Sequence, residues 1–434
     1  MGEAWSVQRV EAAAPDSKSA LAGRKLATPG PWSEIGVHGN LLWGSCQGSG
    51  KTPYQVSIDT AAPAYKCSCP SRKFPCKHAL ALLFLWAQGQ ISETGEVAAF
   101  ASTWKDARES RTAAKSAPAK EQTAEQKAAA AARLAQREEW VSAGLAELDL
   151  FLNDQVREGM ATHAAERTER LERIAARMVD AQASAVASRL REIAVAPQVG
   201  QWPARLLDEY ASLHLLSRAW AVRDKLPADL AETVRSRVGF TRKVNDVLAT
   251  PGLRDRWVVL GMRDADEEQV SVRRVWLWGR HSGTRALVLF FSQGRAGLDA
   301  SLYPGTEIDA DLHFYPGRPR LRAAIGARHG EQSRVSGWDH RGAGAAGAIA
   351  ELRQAVTADP WLESWPVAVW GAPTRHGGEF WLRAETGLRM TGTPADMWRL
   401  LAETGSAPVT VFGELSAEGM RPLAYLNGGE VRVL

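Results

Sequence analysis

The sequence predicts an α+β protein of several domains: a small N-terminal strand and helix unit holding a zinc finger, a central helical bundle, and a C-terminal, mainly antiparallel β domain. Three observations carry that reading. At 434 residues the chain exceeds what one hydrophobic core usually holds. Three of its four cysteines, Cys67, Cys69 and Cys76, fall within ten residues. The spacing of apolar residues then changes along the chain, from short runs to a helical period and finally to a period of about two. Hydrophobic residues at 45% and charged residues at 24% exclude collagen-like, wholly disordered and coiled-coil classes for the chain as a whole. A net charge of +4 is too small to attract nucleic acid in bulk, so any basic patch must be local.

Residues 1–107 form the first expected unit. Between residues 30 and 60, apolar runs alternate with the turn chemistry of Gly30-Pro31, Gly39-Asn40 and Gly48 to Gly50, and Tyr54, Val56 and Ile58 alternate with polar neighbours. Such patterns predict short strands. His78 to Trp86 is apolar and unbroken by Pro or Gly, which predicts a buried helix of about three turns. Residues 108–127, rich in Ala, Lys, Ser, Glu and Gln, read as a linker. Residues 128–250 read as the bundle, with core stripes Val141-Leu145-Leu148-Leu152-Val156, Leu171-Ile174-Met178-Ala181-Ala185 and Leu206-Tyr210-Leu213-Ser217-Trp220. Residues 255–434 alternate at a period of two and read as strands, interrupted by a helix opened by Thr393, Pro394 and Asp396. No tandem repeat is detectable. The start lacks a basic segment followed by an apolar stretch, and the longest apolar run, Ala79 to Ala87, is nine residues. Neither a signal peptide nor a membrane span is expected, and the chain reads as cytoplasmic.

Cys67, Cys69, Cys76 and His78 stand in the spacing C-x-C-x6-C-x-H. Three soft thiolates and one imidazole suit a closed, tetrahedral, structural zinc site with no position left for water. The chain must turn between Cys67 and Cys69, and Pro70 stiffens the exit. Cys46 reads as a small buried residue outside this set.

This pattern resembles the SWIM zinc finger, and residues 54–88 look like a finger of its bacterial type, placed near the N-terminus. All four ligand positions match. The resemblance implies one zinc ion and a module that mediates contacts with DNA or with protein.

Two partner classes follow. Lys66, Arg72, Lys73 and Lys77 lie between Ala61 and Leu80 without an acidic residue among them, and Tyr65 and Phe74 sit beside them. They outweigh the single negative charge of a zinc centre with three thiolates, a footprint for phosphate with rings able to stack on a base. The alternative is that these lysines only solvate the surface and the protein is a zinc-stabilised adaptor, with its 17 tryptophans offering protein contacts. No membrane partner is expected.

Other motifs are weaker. Gly48-Ser-Gly50-Lys51-Thr52 lacks the first glycine and the following helix of a phosphate loop, and reads as a turn between strands. Gly342-Ala-Gly344-Ala-Ala-Gly347 follows no buried parallel strand and reads as a loop before a helix. Glu307, Asp309, Asp311 and His313 share one strand face, which suits a divalent cation or acid and base chemistry but equally the wet face of a half-exposed strand. Asp264, Asp266, Glu267 and Glu268 read as a solvated acidic turn. No catalytic constellation appears, so a non-enzymatic protein is expected.

Overall fold

The computed structural model describes residues 5–14, 17–48, 50, 52–60, 64–71, 75–116, 123–159, 164–196, 202–267, 270–293, 298–299 and 301–434. Two short helices, α1 (Val7–Ala13) and α2 (Ser17–Leu26), precede an antiparallel meander of β1 (Trp32–His38), β2 (Leu41–Cys46), β3 (Tyr54–Asp59) and β4 (Ala64–Cys67). Next comes α3 (Lys77–Ala87), in which every residue from His78 to Trp86 is buried. A helix with no polar face has to be enclosed on all sides. α1 and α2 supply one side, and the sheet supplies the other. Gly23 permits the approach of α2, since a Cβ there would lie 2.6 Å from that of Leu80. α4 (Ala99–Ser116) covers the far face of the sheet, packing Ala101 against Leu41 and Trp43.

The segment expected as a linker is largely helical among the described residues. α4 continues to Ser116, and α5 (Ala124–Glu158) begins with a capping box of Thr123 and Gln126; residues 117–122 lie outside the described residues. Ala, Lys, Glu and Gln bury no core, but they are strong helix formers. α5 runs exposed from residue 124 to 136 before it enters the bundle. There α6 (Ala164–Asp180), α7 (Ser184–Val195), α8 (Trp202–Ala221), α9 (Ala228–Val238) and the short α10 (Val244–Leu248) follow.

The expected stripes form the bundle core, with Leu145, Leu148, Leu171, Met178, Tyr210 and Trp220 buried together. Val156 and Ala185 are not buried with them: Val156 is half exposed and Ala185 is exposed. Gln182 takes a left-handed conformation (φ +61°) that ends the register of α6, so α7 starts a stripe of its own through Val186, Leu190 and Ile193. Polar ties cross the same core. Ser217 Oγ donates to the Leu145 carbonyl at 2.8 Å, and Trp220 Nε1 donates to Ser142 Oγ at 2.9 Å.

The C-terminal part holds two barrels of one connectivity. In the first, β5 (Leu253–Glu267), β6 (Val270–Gly279) and β7 (Arg285–Gln293) form a meander; β8 (Thr306–Phe314) and β9 (Arg322–Arg328) complete it, and β10 (Ser333–Arg334) edges β8. β9 lies parallel to β7 and antiparallel to β8, and β8 pairs back to β5, which closes the ring. After α11 (Ala345–Ala358) the pattern recurs in β11 (Trp365–His376), β12 (Glu379–Arg383), β13 (Gly387–Met390), β14 (Val409–Ser416) and β15 (Gly419–Asn427), with α12 (Pro394–Thr404) between the third and fourth strands and β16 (Glu430–Val433) at the edge. Here β13 meets β15 in parallel and β14 returns to β11. The repeat absent from the sequence is thus present in the topology.

The barrels pack back to back. Val258, Leu260 and Trp278 of the first meet Ala368, Phe412 and Ala424 of the second. Trp338 lies between them, stacked on Phe412 at 5.1 Å with the rings 8° apart.

Replacing Leu148, which is fully buried, with alanine should cost about 2–5 kcal/mol of stability. Val156→Ala, at a half-exposed site on the same helix, should stay within about 0.5 kcal/mol. Urea unfolding followed by circular dichroism checks the difference, and equal losses would contradict this packing.

Candidate metal centre

Cys67 ends β4, Cys69 follows one residue into the turn, Cys76 caps α3, and His78 lies in its first turn. The turn is pinned to the sheet from both sides: Ser68 N donates to the Gln55 carbonyl, and Gln55 N donates to Ser68 Oγ, each at 3.0 Å. The sulfurs on either side of Ser68 lie on one side of the chain, as the period of two along a strand allows. The four ligand atoms lie within 4.8 Å of one another, and Cys67 Sγ is 3.8 Å from His78 Nδ1. A tetrahedral zinc site with metal–sulfur bonds of about 2.3 Å needs edges of roughly 3.8 Å. The donors fit one zinc ion, and their number leaves no open coordination position.

Burial and charge argue the same way. Cys69, Cys76 and His78 are buried, and Cys67 is half-buried. Hydrogen bonds from Cys67 and Cys76 hold the Cys69 thiol far below its usual range, while donation to Cys69 pushes the Cys67 thiol up. Without a cation only part of the cluster ionises; a dication lets all three thiolates form in one small volume. When bound, zinc supplies cross-linking between β4 and α3. The Cys76 thiol is pushed up to about 11: a bond from Cys67 lowers it, but donation to Cys69 and burial outweigh that bond and the Ala79 amide at the start of α3. The Tyr54 ring leans on the His78 ring at 4.9 Å. Sequence reasoning missed Tyr54, Gln55 and Ser68 as supports for the ligands; the nearest signal was that Tyr54 and Gln55 open the strand to which Cys67 pairs.

Of the expected phosphate contacts, Lys66 and Lys77 are exposed and adjoin Cys67 and Cys76 in the chain. Arg72, Lys73 and Phe74 lie outside the described residues. Tyr65 differs from expectation. Its hydroxyl is buried, its pKa pushed up by that burial, and its charged neighbours are Arg9, Arg273 and Asp299, so the ring faces the protein interior rather than a base. Cys46 is buried and stands outside the ligand group, with Sγ 3.9 Å from the Gln47 carbonyl.

Gly48 and Gly50 lie in the connection between β2 and β3; Ser49 and Lys51 lie outside the described residues. Gly344 caps α11, and the helix N-terminus there is taken by Glu385, which accepts from Ala346 N at 2.6 Å. A Cβ on Gly344 would meet that carboxylate at 2.3 Å.

The side chains of the acidic row on β8 are bonded to their neighbours. Glu307 accepts from Arg256 and Arg280, Asp309 pairs with Arg254 at 2.8 Å, Asp311 with His329 at 2.9 Å, and His313 Nδ1 lies 2.7 Å from the Thr250 carbonyl. Glu307 is also buried, unlike a residue on a wet face. Asp264 likewise leaves the expected solvated turn: it lies in β5 and holds the buried Arg273 through two bonds of 2.8 Å.

Metal analysis of the intact chain should give one zinc per molecule. Chelation should unfold residues 54–88 selectively, since a structural zinc site contributes on the order of 10 kcal/mol. Cys67→Ser with Cys69→Ser should abolish metal binding and lose hydrogen-exchange protection in α3 while sparing the bundle. Protection of α3 that survives full metal removal would contradict this role.

Residues 54–86 match the family model of the SWIM zinc finger, and residues 136–238 match that of the SWIM-associated four-helix bundle domain. No curated protein and no solved structure matches the chain. The chain carries a SWIM zinc finger near its N-terminus, set to bind one zinc ion through Cys67, Cys69, Cys76 and His78, and followed by the helical bundle associated with that finger.

Proposed function

We propose that this is a non-enzymatic binding protein whose finger contacts the phosphates of nucleic acid, DNA first, through Lys66, Arg72, Lys73 and Lys77. The observation that carries this reading is the pairing state of the two described lysines. Lys66 and Lys77 flank the zinc ligands on different elements, both are exposed, and neither has a carboxylate partner among the described residues. Elsewhere basic residues are commonly spent on ion pairs, as Arg254, Arg256 and Arg280 are on the acidic row. Two unspent ammonium groups beside a rigid metal core are placed for phosphate positioning, without base readout. The non-enzymatic reading rests on the full ligand set of the zinc and on the partners already bonded to the acidic row. Four free cysteines suit a reducing compartment, the cytoplasm. No described helix is long and apolar enough to cross a membrane.

Binding of a labelled duplex to the zinc-loaded chain should weaken steeply with salt. Lys66→Glu with Lys77→Glu should lower the affinity at least tenfold and reduce the log–log salt slope by about two. Binding indifferent to salt and to both substitutions would refute the phosphate contact and favour the adaptor role.

A further inference from the structure

The second barrel has a stacking face that lies apart from the finger. Its strands connect in the ring order first, second, third, fifth, fourth, with a helix between the third and fourth, the Greek-key connectivity of OB-type barrels. Topology alone names no ligand, so the argument rests on side chains. Val369, Leu382, Leu388 and Met390 fill the interior, and alternation sends their neighbours outward. On the outer face, Thr374 on β11, Trp381 on β12 and Arg389 on β13 stand in one cross-strand row. Ala372, Arg383 and Gly387 form the next row, and Trp370 lies beyond it on β11.

The first barrel covers only the other part of this face, at Ala368, Phe412 and Ala424. Trp381 and Trp370 remain half-exposed, and Arg383 and Arg389 are exposed. A Cβ on Gly387 would lie 3.3 Å from the ring of Trp381, so the glycine leaves room for the indole to approach β13. Arg341 sits over the ring of Trp370 at 4.8 Å. Arg383 has no carboxylate partner among the described residues. Of the nearby acids, Glu379 pairs with Arg389 at 3.1 Å and Glu385 is committed to α11. Indoles interleaved with guanidiniums are the chemistry that stacks bases and tracks a phosphate backbone.

The geometry points to a second site: the outer face of β11, β12 and β13 binds single-stranded nucleic acid, with Trp381 stacking a base and Arg383 holding a phosphate. It stands on residues independent of the finger, and a duplex, whose bases are already stacked, does not satisfy it.

The test is fluorescence anisotropy of the full, zinc-loaded chain with a labelled 20-nucleotide single strand of mixed sequence, beside its duplex. Trp381→Ala should weaken single-strand binding about tenfold or more, Trp381→Phe should retain most of it, and Arg383→Glu should weaken it and lower the salt slope. Duplex binding should be unchanged by all three, whereas Lys66→Glu with Lys77→Glu should lower duplex binding and leave this discrimination in place. Arg383→Glu, on the surface, keeps the test valid if Trp381→Ala unfolds the barrel. Wild-type single-strand affinity in Arg383→Glu and in a folded Trp381→Ala would overturn the inference, whatever the finger variant does.

Discussion

Three sulfurs and an imidazole drawn into a space less than 5 Å across are the constraint on which the N-terminal lobe depends. Buried thiols at such spacing cannot all ionise beside one another. A divalent cation removes that difficulty and ties the end of β4 to the start of α3. That junction matters because the six-residue stretch between Cys69 and Cys76 has little apolar content of its own, while α3 is apolar all round. Placed correctly, α3 is enclosed by α1, α2 and the sheet.

The metal site was legible because its ligands are local in sequence and chemically distinctive. α3, the strands of the meander and most bundle stripes were legible for the same reason: each is a short-range pattern of apolar residues. What the sequence hid was non-local. Closure of each barrel depends on a third strand meeting a fifth in parallel, β7 with β9 and β13 with β15, and no local period encodes that. The partners of Glu307 and Asp264 were hidden likewise, since they come from other strands, as was the inward turn of Tyr65. The helices entering residues 108–127 were misread for a different reason. Their composition favours helix by intrinsic propensity, whereas amphipathic patterning was the signal sought.

The two barrels divide their surfaces between each other and solvent. Phe412, Trp338 and Trp278 form an aromatic seam, with His340 stacked on Trp338 at 5.2 Å, and burial holds the His340 pKa below its usual value. A neutral imidazole is the form such a seam tolerates. Because the seam takes β14, β15 and the first part of β11, the remaining wall of the second barrel keeps its tryptophans and arginines uncovered.

The overhanging part of α5 has a consequence of another kind. From Ala124 to Gln136 the helix has exposed side chains throughout, so it is sustained by its capping box, by alanine-rich composition and by continuity with the buried turns below. Nucleation is already provided by the bundle, yet the turns beyond it bury no side chain, so backbone bonds and the cap alone hold them, and these fade on warming. This stretch therefore melts from its Thr123 end before the bundle does. As it melts, each residue goes from about 1.5 Å of rise to as much as about 3.3 Å of reach. This part of α5 is in that sense a thermal spring, short when cold and long when warm.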